Sequence, residues 1–243
     1  NVDTVMKAGH WSLFDATSNH YRFGSRVQFK VSGDKEIAPD VAEDKIARYF
    51  VAADELEWNY APEGQNMCSD SKFTEEENVW MANSDYSIGP KYIKAMYREY
   101  KDAKFDTLRF GAESRFNPAS RHLGILGPVI KASVGENIEI FFRNNLGEPT
   151  SLVPIAGALV PSKVEAVNEI QKARQTSDKL LVVPGGEIKM TIHVGKDAGP
   201  SGPKNTVSYI YASNANLIRD INTGLMGLII IHGEKAGTRK GAP

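Results

Sequence analysis

The side chains able to carry chemistry in this chain are scattered along it. Its five histidines fall at positions 10, 20, 122, 193 and 232, and its single cysteine is Cys68. Thiolates and imidazoles are the ligands that soft and borderline transition metals select, but only when several converge on one ion. Cys68 lies in a polar stretch rich in Asn, Asp and Ser, has no second thiol to pair with, and reads as an ordinary loop thiol. Glu75, Glu76 and Glu77 offer the oxygen ligands calcium takes, yet adjacent acids in a loop are expected to be solvated rather than convergent. Glu165 and Glu169, four apart on a segment with helical spacing, read as a polar face rather than an acid/base pair. No nucleophile elbow, phosphate loop, dinucleotide fingerprint or zinc-ligand spacing occurs.

The elements that must position these groups are mostly strands. Val27, Phe29 and Val31 alternate with Arg26, Gln28 and Lys30; Ile138, Ile140 and Phe142 alternate with Asn137, Glu139 and Arg143. Ile188, Met190, Ile192 and Val194 do the same against Glu187, Lys189, Thr191 and His193. A period of two puts each apolar set on one face, as in half-buried antiparallel strands. Residues 225–231 (LMGLIII) form a continuous apolar run, which predicts a strand buried on both sides. Glycine and proline clusters at 124, 127–128, 135, 147, 184–186 and 199–200 bound these runs, as turns do in a sandwich. The spacing of Val164, Val167 and Ile170 behind Ser162 predicts one short helix over 162–175. Trp58, Tyr60, Tyr97 and Tyr100 are expected in or beside the core.

Bulk properties narrow the function classes. Lys plus Arg total 29 and Asp plus Glu 30, so the formal charge is −1 and no strong field gathers nucleic acid or a charged membrane surface. The longest apolar run is far short of the roughly 20 residues that span a bilayer. The first residues, Asn1-Val2-Asp3, have no signal-peptide character, so an export signal is expected to be removed or far upstream. No Asn-X-Ser/Thr sequon occurs. The polar segment 33–45, with Pro39, suggests a boundary, because the piece before it is too small to bury its own apolar face.

Residues 48–62 (RYFVAADELEWNYAP) resemble the opening strand of the odd-numbered domains of the ceruloplasmin, hephaestin and coagulation factor V family. The resemblance continues through 88–105 (IGPKYIKAMYREYKDAKF), 122–143 (HLGILGPVIKASVGENIEIFFR) and 217–231 (LIRDINTGLMGLIII), covering most of residues 46–233 in the family's order. Residues 9–31 resemble the closing strands of an even-numbered domain, and 149–157 (PTSLVPIAG) are most similar to the middle odd domain of ceruloplasmin. The resemblance implies a mainly β, cupredoxin-like Greek-key sandwich or barrel with short helical excursions. It divides the chain into the C-terminal strands of a preceding cupredoxin domain (1–33), a linker (34–45), a cupredoxin-like domain (46–233) and a tail (234–243).

The same resemblance specifies where copper ligands would stand. The blue-copper cysteine position is Asp15, the following imidazole is kept as His20, and the axial position is Ser25. A hard carboxylate, one imidazole and a hydroxyl do not make such a site. The trinuclear cluster uses His-X-His pairs, whose alternate side chains face one way; the corresponding segments read Val153-Pro154-Ile155 and Ala212-Ser213-Asn214. The family's disulfide positions are Thr206 and His232. The expectation is therefore no catalytic, cofactor-binding or metal residue, and no cofactor in this chain, although the parent family holds copper. The resemblance implies a copper-free structural or interaction module of a ceruloplasmin-like protein, packed against neighbouring cupredoxin domains, with neither nucleic acid nor a membrane span. Alternatives are a non-ligating part of an active ferroxidase or multicopper oxidase, or of a factor V-like clotting cofactor. An extracellular setting follows from the family, and the missing cysteine pair weakens that inference.

Overall fold

Alternation of apolar and polar residues is what builds the main sheet. The computed structural model describes residues 9–14, 26–32, 40–110, 123–155, 158–201 and 205–234. Strands β1 (Gly9–Phe14) and β2 (Arg26–Val31) pair antiparallel in a two-stranded sheet of their own, with Trp11 opposite Phe29 and Leu13 opposite Val27. The long β3 (Ile46–Asn59) opens the larger unit, followed by helix α1 (Glu75–Met81) and the two-residue strands β4 (Asn83–Ser84) and β5 (Ser87–Ile88). Next come β6 (Lys91–Tyr100), β7 (Ile130–Ser133), β8 (Asn137–Asn144) and β9 (Val153–Pro154). They are followed by β10 (Lys163–Ala166), α2 (Glu169–Arg174), β11 (Glu187–His193), β12 (Thr206–Ala212), α3 (Leu217–Thr223) and β13 (Met226–His232).

Two sheets face each other. One has the order β10-β11-β8-β3-β6 and the other β7-β13-β12-β9, with β3–β8 and β7–β13 parallel and every other pair antiparallel. Register places Ala47, Ile138 and Ile192 in one rung, Tyr49, Ile140 and Met190 in the next, and Val51, Phe142 and Ile188 in a third. All nine are buried, and they meet Ile130, Ala132, Ile229 and Ile231 of the second sheet in one core. At roughly 1.5–3 kcal/mol for each large apolar side chain, this layer is the main driving force for the sandwich. Phe105 adopts φ +56°, unfavourable for a bulky side chain, and its buried ring is held edge-on to Phe50 and Tyr100 with the Arg143 guanidinium 4.5 Å from its centre.

Several sequence expectations change. Residues 162–175 are not one helix: Lys163–Ala166 form β10 on the edge beside β11, and only Glu169–Arg174 are helical, capped by Asn168. Val164 and Val167 fit a helical period only because the window spans both pieces; Ser162 donates to the Thr191 carbonyl at 3.0 Å instead of capping. Glu165 and Glu169 consequently sit on different elements, each paired with its own lysine, Lys163 and Lys172. Residues 226–232 alternate between buried and half-buried, so β13 is fully covered on one face only. Tyr60 is 53% exposed rather than packed beside the core. Glu75–Glu77 form the first helical turn, not a loop.

The outer face of the larger sheet carries charge. Arg48 and Lys189 converge on Glu139 at 2.8 and 2.7 Å, and Arg143 pairs with Glu187 at 2.6 Å. Burial pushes the Glu139 carboxyl up, but hydrogen bonds and charge from Lys189 and Arg48 prevail and hold it below the ordinary range. A carboxyl lowered on folding stabilises the fold above its unfolded value of about 4.3 and loses that contribution as pH falls through the folded value. Glu139→Gln is expected to remove this part of the acid profile: urea midpoints of variant and native protein should differ most above about pH 4.3 and draw together as pH falls below it. Parallel profiles across that range would contradict it.

Candidate functional site

The end of the smaller sheet gathers the residues that the family resemblance marks for metal pairs. β9 adds to the edge of β12 with Pro154 opposite Tyr211 and Val153 opposite Ala212, and the Ile155 amide continues the pairing to the Ile210 carbonyl at 2.7 Å. Two segments some sixty residues apart thus lie side by side, as two converging ligand pairs would require. The side chains delivered there are Val153, Ala212 and Ser213, all buried, with Ile155 44% exposed and Asn214 exposed.

Beneath this junction lies a buried hydrogen-bond network. The Ser213 hydroxyl donates to Asp220 Oδ2 at 2.5 Å and accepts from the Thr150 hydroxyl at 3.1 Å and the Ser151 amide at 3.3 Å. Ser151 and Asn214 bind reciprocally: the Ser151 hydroxyl donates to Asn214 Oδ1 at 2.7 Å and accepts from the Asn214 amide at 2.9 Å. Asp220, 1% exposed, also accepts from the Asn216 amide at 3.2 Å and from Arg219 Nε at 2.8 Å. Asn216 caps α3 through the Arg219 amide, which places Asp220 on the first turn facing Ser213. A buried carboxylate is tolerable only with such partners.

Two tyrosines close the junction from the core side. Tyr97 donates to the Ser151 carbonyl and Tyr211 to the Pro128 carbonyl at 2.7 Å, their rings 5.5 Å apart. Burial, then neighbouring Tyr211 and Asp220, pushes the Tyr97 hydroxyl well above its usual value; burial first, then Glu99 and Tyr49, does the same for Tyr211. Both therefore remain neutral donors. Gly227 stands opposite Tyr211 in the sheet, and a Cβ there would collide with the phenol ring, so the strand needs glycine for this close approach.

This arrangement ties the segment before β9 to the end of β12 and to α3 through side-chain hydroxyls, amides and one carboxylate. The recorded partners of the Ser213 hydroxyl are Thr150, Ser151, Ala215 and Asp220, none of them an imidazole or amine base, and Asp220 is engaged by Arg219. Among the described residues no group of three or more His, Cys, Asp or Glu side chains is placed to hold a metal ion. Asp15, His20, Ser25 and His122 lie outside the described residues. His10 pairs with Lys30 in the β1–β2 register. His193 is half-buried with Nδ1 2.9 Å from Asn137 Oδ1, its cross-strand neighbour, and His232 ends β13. Cys68 is exposed.

The structure does bring Thr206 and His232 together, directly opposite in the β12–β13 ladder. The Gly233 amide bonds to Asn205 and the Ser213 amide to Leu225, so the bonded pairs are 205/233 and 213/225, and by alternation 206/232 is a non-bonded pair. Such pairs hold Cα atoms about 4.5 Å apart, within disulfide range. The network was not anticipated from sequence: the only local signals are the Asn216 cap four residues before Asp220 and the Ser213 hydroxyl before it.

No protein-family model matches the chain. Ceruloplasmin of Rattus norvegicus is 31% identical over 235 residues, covering 93% of this chain and 22% of ceruloplasmin. Hephaestin of Homo sapiens is 28% identical over 228 residues (92% of this chain, 19% of hephaestin). Human coagulation factor V is 27% identical over 250 residues, covering 98% of this chain and 11% of factor V. A solved multicopper oxidase from Campylobacter jejuni aligns over 82% of this chain and 28% of its own, with a TM-score of 0.43 and 14% identity. Facing sheets with short helical excursions make this a mainly β, cupredoxin-like sandwich. Over most of its length the chain is similar in sequence to ceruloplasmin, hephaestin and coagulation factor V. It spans about a fifth of the ceruloplasmin and hephaestin sequences it matches.

Thr206→Cys together with His232→Cys is expected to form a cross-strand disulfide and raise stability by about 2–4 kcal/mol, leaving Cys68 as the one titratable thiol. Thiol titration of the air-oxidised variant checks this. All introduced thiols remaining reactive would show that the register is different.

Proposed function

We propose that this chain is a copper-free structural module of a longer ceruloplasmin-like protein, working through its shape and its contacts with neighbouring cupredoxin domains. The carrying observation is the β9–β12 junction. The segments that correspond to the family's ligand pairs are aligned there, yet they present Val153, Pro154, Ala212 and Ser213 over a closed hydroxyl–carboxylate network. Neither an aliphatic side chain nor a hydroxyl engaged by a carboxylate is a ligand that copper selects. Supporting this, Asp15 and Ser25 replace soft sulfur donors, and Thr206 and His232 replace the bridging cysteines. In this reading residues 1–33 complete a preceding domain, 34–45 link, 46–233 form the module and 234–243 trail it. The autonomous β1–β2 sheet fits such a division, since a two-stranded hairpin is marginal alone in water. An extracellular setting is part of the proposal by kinship; no helix among the described residues is long and apolar enough to cross a membrane.

The test is metal analysis of the purified protein after incubation with Cu(I) and Cu(II) and removal of excess ion, with a visible spectrum. The proposal expects no stoichiometric copper and no thiolate-to-copper absorption. One retained copper per chain overturns it.

A further inference from the structure

Between β3 and β6 the chain leaves the sandwich in an excursion, residues 61–90, that contributes nothing to the core. α1 has no buried residue, and Met67, Val79, Trp80, Tyr86 and Ile88 are each between 61% and 100% exposed. The segment is nevertheless tied together. The Tyr60 amide bonds to the Pro90 carbonyl at its neck, Thr74 and Glu77 form a reciprocal cap on α1, and Asn66 reaches across to Glu77 at 2.6 Å. α1 packs beside β5, so Trp80 and Ile88 belong to one small assembly. A tethered surface bearing exposed Trp and Tyr meets the usual description of an interaction site, with its ordering cost already met within the chain.

Charge identifies the kind of partner. The excursion carries Glu63, Asp70, Glu75, Glu76, Glu77 and Asp85 against the one base Lys72. None of these acids has an ion-pair partner among the described residues, where the recorded salt bridges all lie elsewhere. A two-fold dimer through this face would oppose acid to acid, which disfavours a second copy of the chain. We propose that residues 61–90 are a docking surface whose anchors, Trp80 and Tyr86, enter an apolar, lysine- or arginine-rimmed surface on an adjoining domain of the same polypeptide. This rests on the reading of the chain as one module of a longer protein.

The experiment uses the natural polypeptide that contains these residues, with Trp11→Phe and Trp58→Phe within this segment, compared with the 243-residue chain carrying the same changes. Acrylamide quenching on selective excitation of Trp80, introduced as a site-specific 5-hydroxytryptophan, is expected to fall several-fold in the longer protein. A photo-cross-linking residue at position 86 should give an intrachain product whose partner peptide contains lysine or arginine. Equal quenching in the two proteins, a cross-link between copies, or an intrachain partner without a basic residue would each overturn the proposal. Copper found in the purified protein would sink the scaffold reading while leaving this readout intact.

Discussion

The contact between Asp220 and Ser213 is the constraint around which the end of the smaller sheet is organised. A carboxylate that is 1% exposed persists only if every neighbour that can donate does so, and here donors come from Ser213 just past β12, the α3 cap and Arg219. Ser213 then passes the constraint on, because its oxygen also receives the Thr150 hydroxyl and the Ser151 amide. The segment before β9 is held against the end of β12 by the same few atoms that hold α3. Tyr97 and Tyr211 fasten the other side, and Gly227 leaves the space Tyr211 fills.

The two faces of the larger sheet divide the labour. Inside, the rungs of Ile, Met, Phe and Tyr supply non-directional burial that tolerates exchange of similar volumes. Outside, Arg48, Glu139 and Lys189 bind across three strands, and Phe141 stacks on Phe50 at 5.1 Å with Lys189 over its ring. Those pairings specify register, since a one-residue slip would carry every charge into the core. The excursion at 61–90 belongs to neither system, which is why its aromatic side chains remain outside.

Much of the architecture was legible because β2, β8 and β11 are each long enough to show a period of two. Where the reading failed, the element was short. β10 and α2 together span residues 163–174, so Val164, Val167 and Ile170 mimic one helix although a strand and a helical turn share the window. α1 was missed although Thr74 and Glu77 carry the capping-box spacing, because three consecutive glutamates look like a solvated loop. The network was not legible: Ser151 and Ser213 are 62 residues apart, and the pairing of a two-residue strand brings their segments together.

A double-mutant cycle on Ser213→Ala and Asp220→Asn, read by urea unfolding, bears most directly on this organisation. If the hydroxyl and carboxylate act as one unit, the double variant should lose less stability than the two single variants together, with a coupling of about 1 kcal/mol or more. Losses that simply add would show that the two groups stabilise the fold independently and that the junction is not held as described.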